Sequence, residues 1–236
     1  MPSGLGTLLP AAVSIGFIHT VVGPDHYLPF VMIGRARAWP ATKTLVLALG
    51  CGVAHVLSSV ILGLVGIGFG IALNRLEWIE SVRGDVASWA LVAFGLAYFI
   101  WGMKPLFRNR PHAHVHGHAG GKTHLHTHVH AHGHLHVHEG NEKSITPWVL
   151  FTIFVLGPCE PLIPLLMVPA AKASATGLAL VIVLFGVATV ATMLVMVLLA
   201  WTGVNLLPLK VLEKYSHAIA GAVIFLTGLA IRFLGL

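Results

Sequence analysis

Six long apolar runs constrain the fold of this chain more than any other feature. A transmembrane helix needs about 20 mostly apolar residues, and each run is long enough to form one. A β-barrel would instead show alternating segments of about ten residues. The sequence therefore predicts an all-α polytopic membrane protein with six transmembrane helices. The runs cover residues 7–33, 43–72, 85–103, 146–171, 176–203 and 215–235.

The composition supports this class and excludes others. Of the 236 residues, 56% are hydrophobic and only 9% are charged, whereas soluble domains carry about 25% charged residues. A disordered chain would be more polar, and no basic face with interleaved aromatic residues indicates a nucleic-acid partner. The sequence contains no phosphate-binding glycine loop, so we predict neither ATP hydrolysis by this chain nor an enzyme.

The basic residues predict the orientation. The connections at 34–42 (with Lys43 beside it), 104–145 and 204–214 hold ten of the 14 lysines and arginines. The opposite side holds the other four, Arg75, Arg83, Lys172 and Arg232. By the positive-inside rule, we expect the 104–145 loop in the cytoplasm and both termini outside the inner membrane.

Twelve of the 16 histidines form a low-complexity tract inside that loop. Neutral imidazole is a common ligand of zinc, copper, nickel and cobalt, so the tract predicts a metal-binding loop that is disordered without metal. The alternative is a titratable linker that only tethers two halves. The tract comprises His112, His114, His116, His118, His124, His126, His128, His130, His132, His134, His136 and His138.

An internal repeat divides the chain into two similar halves. Two pairs of segments match at an offset of 134 residues and a third pair matches at 133. We therefore predict two three-helix repeats, 1–103 and 146–236, joined by the 104–145 loop. Because three is odd, the second repeat enters the membrane in the opposite sense, as in secondary transporters. The matching segments are 23–26 with 157–160, 52–56 with 186–190, and 95–97 with 228–230.

Both copies of the repeat carry a Gly-Pro pair inside an apolar run, at Pro24 and Pro158. Proline lacks an amide hydrogen and clashes with the preceding helical turn, so we predict broken first and fourth helices. Paired breaks of this kind indicate a transport site near the membrane midplane. The alternative is a simple packing kink.

The residues after each break are the candidate ligands. If each proline begins a new half-helix, the next two residues occupy its first turn, where the partial positive charge favours a carboxylate or thiolate. Of the eight acidic residues, only Asp25 and Glu160 are predicted to lie deep in the runs, and intramembrane acids are functional candidates by default. His26 and Cys159 complete these pairs.

Two further histidines belong to the predicted site. His19 precedes His26 by seven residues, which is about 10 Å along a continuous helix, so either the break brings them together or His19 is a gate or a second site. His55 lies in the middle of the second run and is a predicted ligand. The remaining polar residues considered are assigned to packing or to the interface: Cys51, Ser58, Ser59, Thr189, Thr192 and His217.

The segment from His19 to Pro29, which contains the Asp25-His26 pair, resembles the signature of nickel/cobalt transporters. It is most similar to the UreH-type and HupE/UreJ-type permeases that accompany urease and hydrogenase. Six residues separate His19 from Asp25, as in the HupE type, whereas nickel permeases with the shorter spacing have five. The resemblance implies metal recognition by this signature and a metallochaperone or a urease or hydrogenase maturation system as partner. It favours uptake slightly over export.

The segment GPCEPLIP, which contains Cys159, resembles the Pro-Cys-x-x-Pro region of CcdA/DsbD-type thiol carriers. Those carriers use symmetry-related cysteines, whereas Asp25 stands at the position equivalent to Cys159 here. The resemblance therefore implies a fold shared with CcdA/TauE-type six-helix transporters without the redox chemistry.

Together these observations predict a secondary transporter of a divalent transition metal, Ni²⁺ or Co²⁺ in the first place and Zn²⁺ or another divalent metal as alternatives. The predicted site consists of Asp25, His26, His55 and Glu160, with His19 and Cys159 beside it, and no prosthetic group. Three alternatives stay open: an exporter of sulfite or a sulfonate, a thiol-redox carrier, and a metal sensor that does not transport.

Overall fold

The computed structural model describes residues 5–108, 112–117, 123–128, 145–172, 174–206 and 215–235. Apart from a short hairpin in the loop, the secondary structure of these residues is helical. The helices are α1 Leu5–Val22, a 3₁₀ turn Pro24–His26, α2 Leu28–Ala36, α3 Ala41–Gly68, α4 Leu73–Arg108, α5 Ile145–Leu156, α6 Leu162–Ala171, α7 Ala175–Leu206 and α8 Ser216–Leu234.

Several of these helices are long and apolar enough to cross a membrane. In the described residues, α3, α4, α7 and α8 each meet this criterion, and the bent pair formed by α1 with the 3₁₀ turn and α2 makes a fifth candidate. The two parts of that pair meet at 81°, and α5 and α6 are shorter apolar helices. The fold is consistent with a multi-pass membrane protein, with four to five candidate spans.

The helices end at both Gly-Pro pairs, as the sequence predicts. We call residues 23–27 the first break and residues 157–161 the second break. The helix boundaries on either side of them repeat at the offset of 134 residues found in the sequence. The equivalent boundaries are the ends of α1 and α5 at Val22 and Leu156, the starts of α2 and α6 at Leu28 and Leu162, and the starts of α3 and α7 at Ala41 and Ala175.

The packing of the helices follows the same correspondence. Helix α1 packs against α7 and α5 packs against α3, while α3 contacts α7 and α4 contacts α8 along much of its length. The repeated glycines Gly95 and Gly228 both lie where α4 and α8 cross. A Cβ atom at Gly228 would lie 2.8 Å from the backbone nitrogen of Val92, so the small residue permits the close approach of the two helices.

The expectation that each proline begins a new half-helix is met only at the first break, where Pro24 begins the 3₁₀ turn, and no helix begins at Pro158. Asp25 and His26 belong to the separate 3₁₀ turn, and Cys159 and Glu160 precede α6, which begins at Leu162. The cause at the second break is Pro161, because a residue that precedes a proline is disfavoured in the α conformation. The positive end of an α-helix therefore does not account for the chemistry of these four side chains.

The third apolar run is longer than predicted. Helix α4 begins at Leu73 rather than near residue 85, and it includes Glu80 and Arg83. Glu80 is completely buried, so the prediction that only Asp25 and Glu160 are deep acidic residues is wrong. Charged residues between Leu73 and residue 85 interrupt the apolar run, so the run by itself did not indicate that the helix begins this early.

Part of the histidine tract forms an antiparallel hairpin rather than the predicted disordered segment. Strand β1 His112–Gly117 pairs with β2 Thr123–His128, and the register places three pairs of histidines opposite one another. The partners are His112 with His128, His114 with His126, and His116 with His124. The other histidines of the tract, at 118 and from 130 to 138, lie outside the described residues, and metal binding by the loop stays a prediction.

Candidate metal centre

Three histidines from separate parts of the first half meet at one place. His19 lies in the last turn of α1, His26 ends the 3₁₀ turn and His55 belongs to α3. Their ring centroids are 4.8 Å apart for His19 and His26, 5.2 Å for His26 and His55, and 6.3 Å for His19 and His55. One ring nitrogen from each lies within 4.8 Å of the others. We call these residues the histidine cluster.

The first break is the reason that His19 and His26 meet. A continuous helix would separate them by about two turns, or 10 Å, whereas the 81° bend folds the second residue back beside the first. Gly23 is needed at the bend because a Cβ atom there would lie 2.5 Å from Nδ1 of His26 and 2.9 Å from Oδ1 of Asp25. Of the two explanations offered for His19, the structure therefore favours convergence through the break.

Hydrogen bonds determine which ring nitrogen of His26 and of His55 is available to bind a ligand. Nδ1 of His26 lies 3.0 Å from the carbonyl oxygen of Gly23 and 3.0 Å from Oδ1 of Asp25, and Nδ1 of His55 lies 3.2 Å from the carbonyl oxygen of Phe154. Carbonyl oxygens only accept hydrogen bonds, so each Nδ1 carries the proton that it donates. In the neutral imidazole, Nε2 then holds the free lone pair that a metal requires.

The Nε2 atoms of all three histidines are buried, and none has a hydrogen-bond partner among the described residues. His26 and His55 are only 3% and 4% exposed. Leaving a buried polar atom unpaired costs about 1–3 kcal/mol, so three such atoms in one cluster make it a candidate site for a bound ligand. Neutral imidazole nitrogens suit zinc, copper, nickel and cobalt.

Asp25 supports the cluster without belonging to it. Its carboxylate accepts the hydrogen bond from Nδ1 of His26, and its side chain is 34% exposed. A carboxylate in this position orients a metal-binding imidazole and increases its basicity. The structure therefore places Asp25 behind one candidate ligand, whereas the sequence predicts it as a ligand itself.

The histidine cluster opens into a cavity of about 360 Å³, which we call the central cavity. Both breaks line it, through Gly23 and Asp25 on one side and Gly157 and Pro158 on the other. An ion pair between residues 85 and 232, 3.3 Å long and largely exposed, also lies on its wall. The same cavity thus reaches both the histidine cluster and an exposed ion pair.

The structure does not bring Glu160 and Cys159 into the histidine cluster. Glu160 is exposed and lines the central cavity. Cys159 is completely buried among apolar residues, and its backbone nitrogen donates hydrogen bonds to Oε2 of Glu80 and to Oγ of Ser59. The cysteine is therefore placed as a packing residue rather than as a thiolate ligand.

The ion pair of Glu80 with Arg83 is the feature of this region that sequence reasoning missed. Arg83 contacts Glu80 and donates hydrogen bonds to the carbonyl oxygen of Val155 at 2.9 Å and to Oγ of Ser58 at 2.8 Å. Ser59 donates to Glu80 at 3.2 Å. The available signal was an acid and an arginine three residues apart, about one helical turn, directly before the apolar run 85–103.

The other residues assigned to packing have mixed outcomes. Cys51 packs in an apolar cluster as predicted, whereas Ser58 and Ser59 bond to the Glu80–Arg83 pair and so do more than pack. His217 bonds through Nδ1 to the hydroxyl of Tyr98 at 2.9 Å, far along the chain from the histidine cluster.

Comparison with known proteins does not place the chain in a family. No family model matches it, and neither curated proteins nor solved structures give a match. The resemblance to nickel/cobalt transporters thus depends on the signature from residue 19 to residue 29.

Proposed function

We propose that this protein is a secondary transporter of a divalent transition metal and that His19, His26 and His55 hold the ion during transport. The observation that carries the proposal is a cluster of three buried Nε2 atoms that have no hydrogen-bond partner in the described part of the chain. Three neutral imidazoles bind borderline transition metals, whereas magnesium and calcium prefer oxygen ligands. The resemblance of the signature favours Ni²⁺ or Co²⁺ over Zn²⁺.

Transport, rather than binding alone, is supported by the position of the cluster. It lies at a helix break, and the equivalent break of the second half lines the same cavity. Irregular backbone at membrane depth is tolerated where it is buried or lines a cavity. We infer that α5 and α6 together make the sixth crossing, and that the two halves are inverted repeats which rock about the site to expose it to either side.

Proton competition is the proposed means of release. An imidazole binds metal only in its neutral form, so protonation of the histidine cluster would expel the ion. The uptake direction, the cytoplasmic position of the 104–145 loop and delivery of metal from that loop to a metallochaperone or maturation system are parts of the same proposal.

The central cavity favours a cation over the anions of the rival proposal. Asp25 and Glu160 line it beside the Asp85–Arg232 ion pair, and the carboxylates of Asp25 and Glu160 would repel sulfite or a sulfonate. For a thiol-redox carrier, the cysteines would have to approach each other, yet Cys51 and Cys159 pack in two different apolar clusters. In the described part of the chain both are free thiols.

Flux measurements in liposomes test the proposal. Reconstituted protein should carry Ni²⁺ or Co²⁺, and a pH gradient should change the rate, whereas Mn²⁺ serves as the hard-ion comparison. His26→Ala and His55→Ala should abolish the flux. His217→Ala is the matched control, because it removes an imidazole that lies in a candidate span but belongs to another hydrogen bond.

Undiminished flux in His26→Ala and His55→Ala would show that the ion does not use this site. Metal binding without any flux in the unmodified protein would favour the sensor instead. Sulfite flux that exceeds metal flux would favour the anion exporter.

A further inference from the structure

The Glu80–Arg83 pair joins a buried acid to a half-buried arginine, and the proposed transport mechanism gives it no part. Glu80 is completely buried and Arg83 is one helical turn away in α4. Burying charges at membrane depth is costly even when they are paired. Both residues bond to the backbone of the second break or of the helix end before it.

The pair satisfies the backbone on both sides of this break. The end of α5 leaves carbonyl oxygens without helical partners, and the segment before α6 leaves amide hydrogens without them. Arg83 donates to the carbonyl oxygen of Val155 at 2.9 Å and, through the same nitrogen, to that of Gly157 at 3.4 Å. The amide of Cys159 donates to Oε2 of Glu80 at 3.1 Å. Both partners are thus bound to the second break.

The end of α5 that Arg83 holds also carries the acceptor for His55. The carbonyl oxygen of Phe154 accepts the hydrogen bond from Nδ1 of His55, and Val155 is the next residue. Both residues belong to α5, and helical φ and ψ angles keep successive carbonyls directed along the same helix axis, so holding the carbonyl of Val155 also restricts the carbonyl of Phe154. A short chain of contacts therefore runs from Glu80 through Arg83 and the end of α5 to His55.

We propose that Glu80 and Arg83 are positioning residues for the metal site. They hold the end of α5 so that the Phe154 carbonyl keeps the proton of His55 on Nδ1 and leaves Nε2 for the metal. The inference rests on the proposed function, since it assigns a partner to the same site. On this proposal, the second half of the chain is necessary for the geometry of the histidine cluster, although it supplies none of the three imidazoles.

The tautomer of His55 gives a readout that does not require metal. Full-length protein with ¹⁵N-labelled histidine, in lipid nanodiscs, reports by NMR which ring nitrogen is protonated, and His55→Ala assigns the signal. The test variant is the double substitution Glu80→Gln with Arg83→Gln, because it leaves no unpaired buried charge. The milder variant is Arg83→Lys, and Arg75→Gln is the matched control, since Arg75 is exposed on the same helix.

In the unmodified protein we expect His55 protonated on Nδ1. The double variant should show a mixture of tautomers, bind Co²⁺ about tenfold more weakly or worse, and change the visible spectrum of bound Co²⁺, because loss of a group behind a metal ligand costs about 10–100-fold in affinity. Arg83→Lys should give a tautomer ratio and a Co²⁺ affinity between those of the unmodified protein and the double variant, because an ammonium lacks the planar fork with which arginine reaches several acceptors. Arg75→Gln should match the unmodified protein.

A folded double variant with the original tautomer and Co²⁺ affinity within about twofold would overturn the inference. If the double variant does not fold, an unchanged tautomer and affinity in Arg83→Lys would overturn it equally. A tautomer change in a protein that binds no Co²⁺ even when unmodified would refute the proposed function and leave the positioning role standing, so the two failures are distinguishable.

Discussion

The two helix breaks share a backbone plan and differ in the groups that complete it. In the first, the amide of Gly23 bonds to the carbonyl of His19, and in the second the amide of Gly157 bonds to that of Ile153. A side chain donates a hydrogen bond to the carbonyl oxygen two residues after each acceptor, at Val21 and at Val155. The hydroxyl of Tyr27 donates to Val21 at 3.3 Å, whereas Arg83 donates to Val155 at 2.9 Å.

The residues that form the helix break are therefore different from the residues that could bind a ligand there. Glycine and proline produce the break, and both halves have kept them. At the positions equivalent to the histidine cluster, the second half has Ile153, Glu160 and Thr189, which cannot form the same site. In the first break, the backbone carbonyls of Val21 and Gly23 are bonded by the nearby side chains of Tyr27 and His26, and the Nε2 atom of His26 is left for a ligand. The second is held by distant charges and contributes backbone acceptors.

The largest expected effect concerns the equivalent residues His26 and Glu160. His26→Ala removes a candidate ligand, so Co²⁺ affinity should fall by more than the roughly 100-fold that loss of a supporting group can cost. Glu160→Ala removes an exposed group on the cavity wall and should weaken binding less than tenfold. Isothermal titration of both variants measures this contrast, and equal losses would mean that the two breaks share the ion.

The equivalent glycines should also differ. A Cβ atom at Gly23 would lie 2.5 Å from Nδ1 of His26, so Gly23→Ala must displace a candidate ligand and should weaken Co²⁺ binding by at least about tenfold. At Gly157 a Cβ atom would lie 3.2 Å from the Phe154 carbonyl oxygen and 3.3 Å from Nδ1 of His55, so both need to shift by only a few tenths of an ångström. Gly157→Ala should therefore stay within a few-fold of the unmodified protein. Binding titrations at equal temperature compare the two, and the reverse order would refute the assignment of the ligands to the first break.

Substitutions of Asp25 test whether its carboxylate is itself a metal ligand or only supports His26. Asp25→Asn keeps an oxygen that accepts the hydrogen bond from His26, so affinity should fall by about tenfold or less, while Asp25→Ala should cost about 10–100-fold. The visible spectrum of Co²⁺ should keep its shape in Asp25→Asn. A spectrum that indicates loss of an oxygen ligand would restore the original prediction that Asp25 binds the ion.

The smallest effect is expected for the loop that joins the halves. Deletion of residues 112–138 removes twelve imidazoles but none of the histidine cluster, so flux at saturating metal should persist while apparent affinity or regulation changes. Ni²⁺ uptake into liposomes at several concentrations measures both quantities. Complete loss of flux would show that the tract is part of the transport path.

Much of the helical framework follows from local sequence. The apolar length of each run and the two Gly-Pro pairs predicted where helices form and where they end, because these depend on residues within a few positions of one another. The offset of 134 residues likewise predicted the equivalent boundaries. The extent of α4 was predicted poorly, since the charges at Glu80 and Arg83 concealed a helix that tertiary partners make tolerable.

The candidate site was predictable in its residue types but not in its arrangement. His19, His26 and His55 were all identified from the sequence, yet whether His19 joined the other two depended on the angle of the bend. The roles of Asp25 and Glu160 also needed the structure. Each was predicted as a ligand from its depth in a run, whereas the hydrogen bond to His26 and the exposure of Glu160 separate them from the cluster.

The amino-acid sequence alone decided that this chain is apolar, helical and interrupted at two related points, because those properties arise from each residue and its immediate neighbours. Tertiary structure decided which polar groups meet. His55 finds its acceptor 99 residues away and Arg83 finds its own 72 residues away. No local pattern encodes such distances, since they depend on how the helices pack and on the cost of leaving a buried polar group unpaired.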